Sequence, residues 1–349
     1  MSFAREFLKK TIPAAFAIAA GAFVTVSSAA QQVWPEVPPA EPPADWGPVS
    51  INLEEIQYPY PVHFLELNRF NEDMRMAYMD VPPTGTPNGQ AVIVLHGMNF
   101  YGGAYGPTAA ALSAAGFRVV LVDQIGYGKS SKPIVPYDLN FFVSNTKAVL
   151  DHLGIEKLAV VGHSMGGMVA TRFAMVYPQT TTHLVLVNQI GLTDQRQSRP
   201  WRDIQASYET TLRTTTYRSI LANHQSYYPT WYPPHLEYVR RQYGQTLSGD
   251  WPRMAMVRTL QQEILYSDPV VYDWQHIRTK SLVLSGAQDG LTPNFEELAL
   301  NVARTLPNAT HLLYPGIGHN PQIEIPDRFH ADLIRFLQSD PNARAADWK

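Results

Sequence analysis

The sequence predicts an α/β protein, in which a mostly parallel central sheet is flanked by helices and interrupted by an inserted helical cap. Three observations predict it. Short apolar runs recur along the chain: "AVIVL" (91–95), "RVVLV" (118–122), "LAVV" (158–161), "HLVLV" (183–187), "SLVLS" (281–285) and "THLLY" (310–314). Segments of helical length separate most of them, as the crossovers between parallel strands require. Within each run the apolar residues stand at consecutive rather than alternate positions, which suits a strand covered on both faces.

Residues 1–30 read as a secretory signal. Arg5, Lys9 and Lys10 make a basic start, "TIPAAFAIAAGAFVTV" is an apolar core, and Ser28 and Ala30 occupy the −3 and −1 positions of a cut before Gln31. The alternative is an uncleaved anchor, but the run is short against the roughly 20 residues of a membrane span. Cleavage would remove three bases and one acid, moving the formal charge from −3 to −5. The chain contains no cysteine, so an exported protein would rely on packing without disulfides. A periplasmic or secreted location is the expectation.

Residues 31–57 carry prolines at 35, 38, 39, 42, 43 and 48, too many for a helix or a central strand, and predict an extended linker or a strap across the surface. From Tyr58 "VHFLEL" and "MRMAYM" alternate like paired strands. The core is therefore expected over 58–190 and 277–349. Between them, 191–276 shows no strand pattern but carries 9 of the 18 tyrosines and 4 of the 7 tryptophans. A structureless loop of that length is improbable in a compact domain, so this stretch predicts the cap.

Neither charge sign forms a long block, and nothing suggests nucleic acid. No P-loop, no G-x-G-x-x-G after a strand and no H-E-x-x-H occurs. No cofactor or metal is expected.

The chemistry centres on "VVGHSMGG" (160–167). A serine between glycines can be a mere turn residue. Here it follows an apolar strand and precedes "MVATRFAMVYP", spaced like a helix ended by Pro178. That is the setting of a nucleophile elbow, G-x-S-x-G, with Ser164 as nucleophile. A serine hydroxyl needs a base, and the base needs an orienting group. Asp289 lies just beyond "SLVLS" and His319 just beyond "THLLY", in the expected order Ser, Asp, His. Asp194, in the loop after "HLVLV", is the rival acid. The backbone N–H groups of Met165 and Met98 are the expected oxyanion donors. His96 directly follows a strand and reads as a loop-fixing residue rather than a catalytic one.

Together "LHGMNFYGG" (95–103), "VDQIGYGKSSKP" (122–133), "GHSMGG" (162–167), "SGAQDGLTP" (285–293) and "GIGHNPQIEIP" (316–326) resemble the capped branch of the α/β-hydrolase fold superfamily. That branch includes esterases, epoxide hydrolases, haloalkane dehalogenases, carbon–carbon bond hydrolases and cofactor-free haloperoxidases. Its dehalogenases and epoxide hydrolases use an aspartate where this chain has Ser164, so the resemblance argues against both. Asp123 matches a family aspartate for which a structural turn role is expected. The expected function is hydrolysis of a small-molecule carboxylic ester through an acyl-enzyme. A carbon–carbon bond hydrolase or a perhydrolase-like haloperoxidase on the same triad is the alternative, and a catalytically idle binding protein is the alternative of another class.

Overall fold

The computed structural model describes residues 35–348, so the signal expected over 1–30 lies outside the described residues. Eight strands form one sheet: β1 (His63–Arg69), β2 (Glu72–Val81), β3 (Ala91–Leu95), β4 (Arg118–Val122), β5 (Leu158–His163), β6 (Thr181–Val187), β7 (Lys280–Gly286) and β8 (Ala309–Tyr314). Their order is β1-β2-β4-β3-β5-β6-β7-β8. β1 pairs antiparallel with β2, and β2 with β4; all later pairings are parallel. The six apolar runs fall inside β3 to β8; of the two alternating segments, "MRMAYM" falls inside β2 and "VHFLEL" begins one residue before β1.

The reason lies in the pleat. Successive side chains point to opposite faces, and here both faces are buried. In β3, Ile93 and Leu95 join one core cluster while Val92 and Val94 join the other. The first face is covered by α2 (Leu139–His152), α3 (Met165–Val176) and α9 (Phe295–Thr305); the second by α1 (Gly106–Ala114) and α11 (Pro326–Leu337). β1, at the sheet's edge, alternates exposed and half-buried positions.

Between β6 and β7 the described chain forms only helices and turns: α4 (Ile204–Thr214), α5 (Tyr217–Gln225), α6 (Leu236–Thr246), α7 (Trp251–Gln262) and α8 (Ile264–Ser267). Local signals start several of them. The Asp203 side chain accepts from the Ala206 N–H to cap α4, and Thr216 with Ser219 forms a capping box on α5. A one-turn helix, α10 (Pro321–Glu324), precedes α11.

The described part of the proline-rich segment, 35–57, has no helix or strand and lies against this insertion. Trp46 is buried beside Tyr217, Leu236 and Val239, and Ile51 beside Trp251, Met254 and Ala255. The Val49 N–H donates to the Gly244 carbonyl at 2.9 Å, and Lys129 Nζ donates to the Leu53 carbonyl at 2.7 Å. The segment thus bridges insertion and core through its apolar side chains and a few backbone bonds. Among the described residues no helix is long and apolar enough to cross a membrane.

Candidate active site

Ser164 stands between the end of β5 and the start of α3 with φ 56° and ψ −122°, a conformation that costs a non-glycine residue of order 1–3 kcal/mol. The turn is tight because two glycines permit it. A Cβ on Gly162 would stand 2.2 Å from the Gly166 carbonyl oxygen, and one on Gly166 would stand 2.1 Å from that of Leu95. A serine at a helix N-terminus ordinarily turns its hydroxyl inward to accept from the first turn. Ser164 makes no such bond, which leaves Oγ available for chemistry.

His319 Nδ1–H donates to Asp289 Oδ2 at 2.6 Å, and both side chains are almost wholly buried. The carboxylate is fixed on its other sides: Asn188 Nδ2 donates to Oδ2 at 2.9 Å and the Leu291 N–H to Oδ1 at 2.9 Å. Burial acts to raise the Asp289 pKa, but the neighbouring imidazole and these hydrogen bonds outweigh it and hold the carboxyl below its ordinary range. His319 Nε2 is buried without a hydrogen-bond partner among the described residues. No Ser164–His319 bond is formed in this conformation; such bonds are often long before substrate binds.

Asp194 is engaged elsewhere. Its carboxylate accepts from Arg196 Nε and Nη2 at 2.8 Å each and from the Tyr272 hydroxyl at 2.8 Å. The carboxylate facing the imidazole is that of Asp289.

The loop after β3 approaches the nucleophile closely, since a Cβ on Gly97 would come 2.8 Å from the Ser164 Cβ. The next N–H, that of Met98, has no acceptor among the described residues, and neither has that of Met165 at the first position of α3. The Met165 side chain is buried, with its Sδ accepting from the Tyr127 hydroxyl at 3.2 Å. The two N–H groups thus remain free beside the serine, as stabilising an oxyanion requires.

His96 is fully buried; Nδ1–H donates to the Gly97 carbonyl at 2.9 Å while Nε2 accepts from the Gln124 N–H at 3.0 Å. It joins the loops after β3 and β4. Asp123 accepts from the Gly102 N–H, the Lys129 N–H and the Tyr58 hydroxyl at 2.6, 2.7 and 2.7 Å, so it secures turns.

Four supports escaped the sequence reading. Asn188 is the residue directly after β6, at φ 40°, a position that could have drawn notice because strand ends form the sheet's carboxyl edge. Glu324 accepts from the Gly318 and Asn320 N–H groups on either side of His319, at 2.9 and 3.1 Å. His163 accepts from the Tyr105 hydroxyl at 2.7 Å and donates to the His319 carbonyl at 2.9 Å. Asn99, next to Met98, donates to Asn223 Oδ1 at 2.9 Å and the Tyr227 hydroxyl at 2.5 Å, and accepts from Arg258 Nη2 at 3.0 Å. That residue ties the candidate oxyanion loop to the insertion, a connection no local pattern announces.

A sheet in this strand order, with a strained serine after β5 and a buried carboxylate–imidazole pair after β7 and β8, is the architecture of a hydrolase. The chain belongs to the α/β-hydrolase family: the family model described as "alpha/beta hydrolase fold" matches residues 90–326. A probable hydrolytic enzyme from Pseudomonas aeruginosa PAO1 is 36% identical, with TM-score 0.81 over 84% of this chain and 99% of its own. A 2-hydroxy-6-oxononadienedioate/2-hydroxy-6-oxononatrienedioate hydrolase from Paraburkholderia phymatum is 29% identical over 76% of this chain and 91% of its own. An esterase from Exiguobacterium antarcticum, 20% identical with TM-score 0.65 over 79% of this chain and 100% of its own, shares the fold.

Proposed function

We propose that the protein is a serine hydrolase cleaving carboxylic esters through a covalent acyl-enzyme. One observation carries this reading: the His319–Asp289 pair, buried and bonded at 2.6 Å, leaves Nε2 without a partner at the sheet edge that presents the strained Ser164. Ser164 Oγ attacks the ester carbonyl carbon as His319 Nε2 takes its proton. Asp289 holds the imidazole and stabilises its protonated form, while the Met98 and Met165 N–H groups receive the oxyanion. Collapse of the tetrahedral species breaks the carbon–oxygen bond, and His319 returns the proton to the leaving alcohol. Water, deprotonated by the same imidazole, then attacks the acyl-serine and frees the acid. The insertion between β6 and β7, spanning 191–276, acts as the cap over this chemistry.

The Paraburkholderia relative favours a second reading, a carbon–carbon bond hydrolase on the same triad. We further propose that residues 1–30 direct export and that the mature protein, starting at Gln31, is periplasmic or secreted.

The test is labelling by a fluorophosphonate probe, followed by assay of aryl esters beside a ring-cleavage dienoate. Ester turnover with Ser164 as the labelled residue is the expected result. Turnover of the dienoate alone would move the reaction to carbon–carbon cleavage, and no labelling would leave a binding protein on this fold. N-terminal sequencing of the protein from fractionated cells tests export.

A further inference from the structure

Three guanidinium groups, those of Arg199, Arg202 and Arg258, line one cleft of about 500 Å³ against α4 and α7. Among the described residues none of the three has a carboxylate partner. Among those residues Arg258 donates only to the Asn99 side chain. Arg199 donates to Gln195 Oε1 and lies over the Tyr266 ring. Among the described residues the only carboxylate lining the cleft is Glu263, against three cations. A cation placed among protein atoms without a counter-charge loses hydration and gains nothing in return. That loss is felt at Arg258, where burial lowers the pKa, with the Tyr127 and Tyr227 hydroxyls acting in the opposite sense and no acid contributing.

The place of Arg258 gives the arrangement its meaning. Arg258 and Met98 line both this cleft and a smaller cavity bounded by Phe100, Tyr127 and Tyr238. Met98 follows Gly97, whose Cβ position abuts Ser164. Tyr127 contacts Met165 Sδ, and the Tyr227 ring lies 5.1 Å from that of His319. Arg258, without an acid partner among the described residues, therefore lies against Met98 and Asn99 on the loop whose Gly97 abuts Ser164.

We propose that Arg258 is a specificity-determining residue that receives a carboxylate of the substrate, so that the preferred esters carry a negative charge away from the scissile bond, with Arg199 and Arg202 drawing the anion into the cleft. A planar guanidinium matches a carboxylate through two parallel hydrogen bonds. This inference rests on the hydrolase reading for the cleaved bond, but the anion site itself does not. The charge can sit on the acyl part or on the alcohol part, and paired substrates separate these.

The experiment compares 4-nitrophenyl hydrogen glutarate with 4-nitrophenyl hexanoate, and 4-acetoxybenzoate with its methyl ester, in the wild type, Arg258→Gln and Arg258→Lys. Binding of glutarate and of 4-hydroxybenzoate is measured by calorimetry in parallel. In one of the two pairs the anionic ester should have the higher kcat/KM by about 10- to 100-fold. Arg258→Gln should erase that preference, read as the ratio of the two kcat/KM values so that any change common to both esters through Asn99 cancels, and Arg258→Lys should keep part of it. Added salt should reduce it. The matching acid should bind at least about tenfold more weakly to Arg258→Gln.

If no ester is cleaved yet the acid binds through Arg258, the hydrolase reading falls and the anion site stands. Equal kcat/KM for charged and neutral esters, a preference that survives Arg258→Gln, or acid binding that is absent or indifferent to Arg258 would overturn the proposal. A misfolded Gln variant, seen by circular dichroism, leaves Arg258→Lys and the salt dependence of the wild type to decide.

Discussion

Asn188 Nδ2 donates to Asp289 Oδ2 across 2.9 Å, so the residue directly after β6 holds the carboxylate presented after β7. Asn188 Oδ1 in turn accepts from the Gly286 N–H at 2.9 Å. The acid is thus located by two neighbouring strands rather than by its own turn alone. Asn188→Ala leaves a buried carboxylate oxygen with one partner fewer, and a lost bond to a charged group costs about 1–3 kcal/mol. The expected outcome is a fall in kcat of about 10- to 100-fold with a small drop in melting temperature. Unchanged kcat in Asn188→Ala would show that the Leu291 N–H and His319 suffice to place the acid.

The two carboxylates once in competition for the acid role should separate cleanly on mutation. Asp289→Asn is expected to lower kcat by roughly 10³ to 10⁴-fold, because an amide cannot hold the same imidazole tautomer. Asp194→Asn should change kcat by less than about tenfold, since Asp194 serves Arg196 and Tyr272. Steady-state kinetics on one aryl ester decides, and the reverse ranking would move the acid to Asp194.

Ser164 carries backbone strain as well as a hydroxyl. Ser164→Ala should abolish ester hydrolysis, as loss of a triad nucleophile ordinarily costs on the order of 10⁴-fold or more. Ser164→Gly should be equally inactive yet melt higher than Ser164→Ala. Glycine tolerates φ 56°, and relieving such a residue returns about 1 kcal/mol or more. A lower melting temperature for the glycine variant would mean that the lost Cβ contacts outweigh the relieved strain.

Acid should destabilise the fold through its buried imidazoles. Burial is the leading cause of the lowered pKa at His163, His224 and His183, which fall to about 3, about 3 and about 4, and it also lowers His235. In the unfolded chain each imidazole takes up a proton near pH 6.5, whereas in the folded protein it stays neutral well below that. Their contribution to stability is therefore complete above about pH 6.5 and is lost as the pH falls toward about 3. Thermal melts from pH 8 to 4 should show a melting temperature that holds and then declines below about pH 6.5. A constant melting temperature down to about pH 4.5 would reject this account.

The strands were legible because a sheet buried on both faces demands apolar residues at consecutive positions, as in "AVIVL" and "RVVLV". The nucleophile was legible because the elbow needs glycines two residues before and two after Ser164, a requirement contained within five positions. Asp289 and His319 could be nominated from their places just past strands. Their supports could not. Glu324 acts through backbone N–H groups around His319, and Asn99 acts through partners 124 and 159 residues away in sequence.

What the sequence by itself determined about this protein is whatever depends on short-range pattern: the strand runs, the helix caps, the serine elbow and the order of the three candidate catalytic residues. What only the tertiary structure decided is which groups meet. The hydrogen bond between Asp289 and His319, the grip of Asn188 on that carboxylate and the position of Arg258 without an acid partner among the described residues arise where loops after different strands and helices of the insertion converge. Hydrogen bonds and charges act over a few ångströms of space whatever the number of intervening residues, so a pairing between distant segments leaves no periodic signal along the chain.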